Sequence, residues 1–314
     1  MNKNIALVLS CGGARGIAHI GVIEELENQG FKISSIAGCS MGALVGGFYA
    51  AGKLDVYKEW LCSLTQKDVT KLIDLTLSSK GFIKGQRVFS EMKKLMADVN
   101  IEDLGIPYVA VATDVHDHEE FVFAEGSLYD AIRASVAIPS IIHPCFINGK
   151  EFVDGGIVNP IPINRAIRTE NDSLVVVNVN STVPLQSENE EIQEVKKKRN
   201  IRHYNYFMNK MLNFSLSNYA SPRRSSIVGL IGKSMELMQT QIAELTLKSY
   251  PHDLLVNVSK QSGTLFEFHR AKDLIEEGKK AVKRSLQKQS WYENKMLPSQ
   301  EETLYPLQTN KLAG

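Results

Sequence analysis

The stretch Gly38-Cys39-Ser40-Met41-Gly42 constrains this chain more than any other, because it sets a serine between two glycines where a strand pattern gives way to a helix pattern. Residues 33–37 read as a short buried strand, and residues 41–51, rich in Ala, Leu and Gly and free of charge, read as a buried helix. The chain must therefore turn sharply at Ser40. So tight a turn leaves no room for a Cβ on either side and forces unusual backbone angles on the serine, which Gly38 and Gly42 permit. The following helix aims its positive end at the Ser40 hydroxyl and at any oxyanion forming beside it. This is the pattern of a nucleophile elbow. A GxSxG string alone is a weak signal; the flanking strand and helix give it meaning.

Length and composition bound the rest. A chain of 314 residues holds one large α/β domain with embellishments or two small domains. Hydrophobic content of 43%, charged content of 23% and a net charge of +1 describe an ordinary globular protein rather than a disordered or generally nucleic-acid-binding one. Cys11, Cys39, Cys62 and Cys145 are scattered in apolar surroundings without a CxxC pair or zinc spacing, so they read as reduced thiols in a cytosol, and no metal site is expected. The apolar run at residues 5–9 is too short for a signal-peptide core. The uncharged stretch 36–52 is broken by glycines and falls short of the roughly 20 apolar residues of a membrane span.

Residues 4–10 form a continuous apolar run of strand length that ends in the loop Cys11-Gly12-Gly13-Ala14-Arg15-Gly16. A helix follows, with Ile17, Ile20, Val22, Ile23 and Leu26 as its apolar side and Gly30 as its stop. Strand, glycine loop and helix then repeat around Ser40. Such alternation argues a parallel sheet with helices on its faces, and ligands sit at the carboxyl ends of its strands, where both loops lie. A dinucleotide site is disfavoured: Cys11 stands where G-x-G-x-x-G needs its first glycine, the second strand ends in Ala37-Gly38-Cys39 without an acid, and no Walker motif is present. The better use of Gly12 and Gly13 is a row of backbone N–H groups turned toward Ser40, as an oxyanion hole requires. Arg15 either supports that loop, attracts an anionic head group, or makes a salt bridge on the helix.

Further along, residues 55–65 and 85–98 read as helices, with a mixed segment at 71–83 as a mobile cap. A buried strand at 106–115 pairs with 120–124, and a short helix spans 128–136. The strand at 151–153 leads into Asp154-Gly155-Gly156, which puts an acid on a tight turn with its side chain free to project; an ordinary Asp-Gly turn is the competing reading. A helix is expected to open at Asn159-Pro160-Ile161-Pro162, followed by a strand at 174–180. Residues 181–198 form a polar surface connection. Ile201, Tyr204, Met208, Met211 and Leu212 then fall on one helical stripe beside Lys196, Lys197, Lys198, Arg199 and Arg202, as in a solvated core helix or a membrane-surface or lid helix; no nucleic-acid module accompanies them. Residues 227–247 read as an amphipathic helix with Ile231, Met235, Met238, Ile242 and Leu245 spaced for burial. A late strand at 253–258, a closing helix at 270–286 and a loose polar tail after Trp291 complete the chain.

A serine nucleophile needs a partner to take its proton. The order Ser, acid, His would use His252 or His269, yet neither is flanked by glycine or loop signals that fix it at a sheet edge. His19 lies among apolar residues and reads as a core histidine, and His116, His118, His143 and His203 lack a distinguishing context. The residues themselves leave the base open.

LVLSCGGARGIAHIGVIEEL at 7–26, GCSMG at 38–42, RASVAIP at 133–139 and DGG at 154–156 stand in the order of the four blocks of bacterial patatin-like phospholipases, a family this chain resembles from about residue 5 to 167. A later echo is FEFHRAKDLIEEGKKA at 266–281, and one departure is Cys11 where the family's loop usually starts with glycine. The resemblance implies a three-layer α/β/α sandwich with a central, mostly parallel sheet. It implies a Ser-Asp dyad with Ser40 as nucleophile and Asp154 as base, and Gly12, Gly13, Ala14, Arg15 and Gly16 as the oxyanion loop. It also implies hydrolysis of fatty-acyl esters of lipids, of phospholipase A or lysophospholipase type, without calcium or another cofactor. The expected organisation is a catalytic core at 5–167, the remainder of the α/β domain with helical cap or membrane-facing elements at 168–290, and a loose tail at 291–314. The expected partners are a lipid or acyl-ester substrate and, peripherally, the inner face of a membrane, with no nucleic acid. An aspartate at its usual pKa near 3.9 is a poor base at neutral pH, so Asp154 should be partly desolvated and bonded directly to Ser40. The same serine also suits an acyltransferase or thioesterase, and an intact but little-used site suits a lipid-sensing regulatory protein.

Overall fold

The first strand, β1 (Asn4–Leu9), alternates in a way that decides the architecture: Ile5, Leu7 and Leu9 enter one apolar cluster while Ala6 and Val8 enter another on the opposite face. Both sides of this strand are covered, which is the mark of a sheet between two layers. The structure, a computed structural model, describes residues 1–78, 81–185 and 227–296.

In chain order, α1 (Ala18–Asn28), β2 (Lys32–Cys39), α2 (Met41–Ala50), α3 (Leu54–Ser63) and α4 (Gln66–Leu72) follow β1. A small antiparallel hairpin, β3 (Leu75–Ser78) and β4 (Gly81–Ile83), precedes α5 (Gln86–Leu95). Next come β5 (Tyr108–Asp114), β6 (Glu119–Phe123), α6 (Leu128–Ser135), β7 (Cys145–Ile147), β8 (Lys150–Asp154) and β9 (Ser173–Ser181). The last described elements are α7 (Ile227–Ser249), β10 (Leu254–Ser259) and α8 (Ala271–Met296).

The main sheet runs β10-β9-β1-β2-β5-β8-β7, with β6 also paired to β5. From β10 to β5 every pairing is parallel, whereas β6 and β8 run antiparallel to β5. The expected mostly parallel α/β/α sandwich is the architecture observed. One face packs on α1, α2, α6 and α8 through residues such as Ile20, Phe48, Ile132 and Leu274. The other face is covered more thinly, by Ile161, Ile163 and, from α7, Ala243.

Four expectations change here. The helix expected to open at Asn159 is reduced to a 3-10 turn, Ile163–Arg165. Pro160 and Pro162 lack the N–H a helix needs and steer Asn159 and Ile161 away from helical angles, so the segment lies flat with Ile161 and Ile163 pressed on the sheet. The helix α7 exists, but Met238 and Leu245, expected inside, are 54% and 63% exposed. A different stripe faces inward: Ala243 is buried against the cluster that holds Ile161 and Ile163, and Leu247, one turn on, packs against it. Segment 71–83 holds the end of α4 and a hairpin, and the Asp74 carboxylate caps α5 by accepting from the N–H groups of Gly85, Gln86 and Arg87. The closing helix, expected over 270–286, continues to Met296. The stripe from Ile201 to Leu212, its basic neighbours and the tail from 297 lie outside the described residues. Among the described residues no helix is long and apolar enough to cross a membrane.

Candidate active site

Between β2 and α2 the chain reverses at Ser40, whose φ of 54° and ψ of −122° lie where an L-residue is strained. The turn is held from both sides. A Cβ on Gly42 would come within 2.2 Å of the Leu9 carbonyl oxygen, and one on Gly38 within 2.6 Å of Ala43 Cα. The Ser40 N–H donates to Ser135 Oγ at 2.8 Å, and Ser135 in turn donates to the Val111 carbonyl at 2.6 Å. Ser135 on α6 thus ties the strained turn to β5, a role that nothing in its local sequence announces.

The register of β5 explains why a distant aspartate meets this serine. Along one edge of β5, Cys39 of β2 lies opposite Val111, and the next position, Ala112, lies opposite Asp154 of β8. Where β2 leaves the sheet to form the elbow, β8 arrives from the opposite direction and takes its place. Ser40 Oγ donates to Asp154 Oδ2 at 2.6 Å, and Oδ1 accepts the Gly156 N–H at 2.7 Å. Both residues are buried, at 2% and 3% exposure. Burial pushes the Asp154 carboxyl up to about 6, against the pull of its bonds from Ser40 and from the Gly156 N–H. Two of the candidate histidines are engaged elsewhere. His19 donates from Nε2 to the Ser10 carbonyl at 2.9 Å, and burial holds it neutral with a pKa of about 4; His252 donates from Nδ1 to the Tyr250 carbonyl at the surface.

The glycine loop lies against the elbow, since a Cβ on Gly16 would reach within 2.4 Å of Met41 Cβ. It also reaches the Asp154 turn, where a Cβ on Gly156 would stand 3.1 Å from Cys11 Sγ and 2.8 Å from Gln239 Nε2 of α7. Its N–H groups are not equivalent. Cys11 donates to the Pro160 carbonyl and Ala14 to the Leu265 carbonyl, at 2.9 and 3.0 Å. Arg15 and Gly16 sit inside the 3-10 turn Gly13–Ile17, whose own bonds engage amides at that depth. Gly12 and Gly13 are left with no acceptor among the described residues. Of the five residues expected to form an oxyanion loop, Gly12 and Gly13 are the two whose N–H groups remain open to an incoming acceptor, whereas the Ala14 N–H is already bonded. The Arg15 side chain is buried, and its Nε and Nη2 donate to Asn180 Oδ1 at 3.0 and 2.7 Å, so it supports the loop from within.

Cys39, next to Ser40, stays a neutral thiol because burial, then the neighbouring Cys11 and the Asp154 charge, push it well above the usual range. A cavity of about 670 Å³ opens elsewhere, among Ala51, Gly52, Asp98, Asn100 and Asp103 at the C-terminal end of α2. Ser40 caps the other end of that helix, about 15 Å away at 1.5 Å per residue, so the cavity is not part of the dyad's surroundings. What the assembled groups can do together is deprotonate a hydroxyl, present it to a carbonyl carbon, and hold the resulting oxyanion.

Comparison with known proteins places these residues in a family context. The family described as patatin-like phospholipase matches residues 7–167. An uncharacterized NTE family protein of Mycobacterium tuberculosis is 31% identical over 331 aligned positions, which cover 91% of this chain and 92% of that protein. Human patatin-like phospholipase domain-containing protein 6 is 32% identical over 57% of this chain, but that region is 14% of the human protein. The neuropathy target esterase sws of Drosophila persimilis is 33% identical over 51% of this chain and 12% of its own length.

Proposed function

This chain belongs to the patatin-like phospholipase family, and from that premise we propose that it is a serine hydrolase of fatty-acyl lipid esters working through Ser40 and Asp154. The observation that carries the reading is the 2.6 Å hydrogen bond from Ser40 Oγ to Asp154 Oδ2 in a buried, strained elbow. Asp154 takes the hydroxyl proton as Ser40 Oγ adds to the ester carbonyl, and the N–H groups of Gly12 and Gly13 receive the oxyanion. Collapse expels the alcohol, which leaves with the proton held by Asp154, and the acyl group remains on Ser40. A water molecule then gives its proton to Asp154 and attacks the acyl carbonyl; the Oγ–acyl bond breaks as Asp154 returns that proton to Ser40 Oγ, and the fatty acid leaves. The raised pKa of Asp154, about 6, supports this role: the group is still ionised at neutral pH yet basic enough to share a proton with serine.

The substrate class is a phospholipid, lysophospholipid or related acyl ester met at the inner face of a membrane, by a cytoplasmic protein whose free cysteines suit a reducing compartment. The test is acyl-ester hydrolysis by the wild type, Ser40→Ala, Asp154→Asn and His269→Ala. The first two substitutions should lower kcat by on the order of 10⁴-fold and the third should leave it near the wild-type value. Activity retained in Asp154→Asn but lost in a histidine variant replaces the dyad by a triad. Added acceptor alcohols, scored by whether they capture the acyl group faster than water, separate hydrolysis from acyl transfer.

A further inference from the structure

Asn180 stands at the end of β9, 169 residues from the glycine loop it touches, and its side-chain amide is fully engaged there. Nδ2 donates to the Cys11 carbonyl at 2.7 Å, and Oδ1 accepts from Nε and Nη2 of Arg15. Arginine has donors only, so the amide oxygen must face Arg15 and the amide nitrogen must face Cys11; turning the amide over would set an NH2 against a guanidinium and an oxygen against a carbonyl. The charge on buried Arg15 strengthens that preference.

The consequence falls on the next amide. The Cys11 carbonyl and the Gly12 N–H belong to one planar trans peptide and point in opposite directions. Whatever holds the first aims the second. Val179 closes the other way out, since a Cβ on Gly12 would come within 2.3 Å of its Cγ2, and the Asn180 backbone is itself fixed by donating to Asn178 Oδ1 at 2.9 Å.

We propose that Asn180, clamped by Arg15, is the positioning residue of the oxyanion loop: by holding the Cys11 carbonyl it directs the Gly12 N–H toward the carbonyl that Ser40 attacks. The inference rests on Ser40 being the nucleophile. Asn180 bonds to Arg15 and Cys11 of the loop and acts through the Gly12 amide, so its effect belongs to kcat and not to binding.

Asn180→Asp separates this role from simple support, because the carboxylate still accepts from Arg15 but has no proton for Cys11 and repels its carbonyl. Two rates are compared with the wild type: kcat for a soluble acyl ester, and phosphonylation of Ser40 by a fluorophosphonate, in which the Oγ–P bond forms, fluoride leaves and Asp154 takes the hydroxyl proton. Both should fall about 10- to 100-fold, less than the roughly 10²- to 10³-fold in kcat seen when an oxyanion donor is deleted outright, because here the N–H is misdirected and not removed. KM should stay within about twofold, and the ascending pH limb near 6 should not move. Asn180→Ala, which adds no charge, should show the same pattern and is the variant read if Asn180→Asp does not fold. Wild-type phosphonylation and kcat in either folded variant overturn the inference, as does a loss confined to KM. Failure of the wild type to react at Ser40, with Ser40→Ala as control, instead overturns the reading on which the inference rests.

Discussion

Asp154 is destabilising in its ionised form, and that penalty accompanies the role of base proposed for it. Its carboxyl is buried and raised to about 6, so between about pH 4 and 6 the folded chain keeps a proton that the unfolded chain gives up. Stability from this group is complete below about pH 4, declines as pH rises through 6, and is absent above it, a swing of about 3 kcal/mol at roughly 1.4 kcal/mol per pKa unit. Asp154→Asn removes the charge while keeping an oxygen for the Gly156 N–H. It should be inactive yet more stable than the wild type at about pH 8, with the difference gone at about pH 4, as measured by denaturant unfolding at several pH values. A difference that ignores pH would mean that no buried carboxylate ionises there. At this scale the sequence was legible where a residue's role is local: Ser40 between its glycines and Asp154 before its own are visible as turns. Ser135 and Asn180 were not, because what they do depends on partners 95 and 169 positions away.

Helices and strands meet most tightly where α1 crosses α8. A Cβ on Gly21 would stand 1.8 Å from the Ile275 carbonyl oxygen, and one on Gly278 would stand 2.1 Å from the Ala18 carbonyl oxygen, so each helix lays its backbone on the other's glycine. Gly21→Ala must push two helices apart and should cost about 3 kcal/mol or more, read as a lower denaturation midpoint at unchanged m. Gly232→Ala, on α7 with open space around it, should have the opposite sign and stabilise by about 0.5 to 1 kcal/mol. If both substitutions behave alike, the close crossing is not what sets the cost. Elements were legible as apolar runs and stripes, which is why β1, β2, β5 and α2 stand where expected. Pattern failed where two constraints competed, as when Pro160 and Pro162 overrode an apparent helix start, or when the stripe of Ala243 and Leu247 took the inward face of α7 in place of the one through Met238 and Leu245.

At the scale of the whole molecule, the stretch that matches the family, residues 7–167, holds only part of the sheet. It contains Ser40, Asp154 and the glycine loop, but β1 at its centre is flanked on one side by β9, and β9 by β10, both from beyond residue 167. Cutting there turns β1 into an edge strand, strips Val175, Val177 and Val179 from one apolar cluster, and leaves α1 without Leu274, Ile275 and Val282 of α8. It also removes Asn180, Leu265 and Gly263, which hold the glycine loop from outside. A fragment of residues 1–167 should therefore show no cooperative unfolding transition, bind a hydrophobic dye, and hydrolyse no ester, whereas the full chain does the reverse. A fragment that melts cooperatively would mean that β1, β2, β5 and β8 close a core of their own, and the later strands would then be additions to an active site already complete. The register along β5 argues against that outcome. It brings Ser40 and Asp154 together only while β2 is held between β5 and a buried β1, and β1 is buried only when β9 lies beside it.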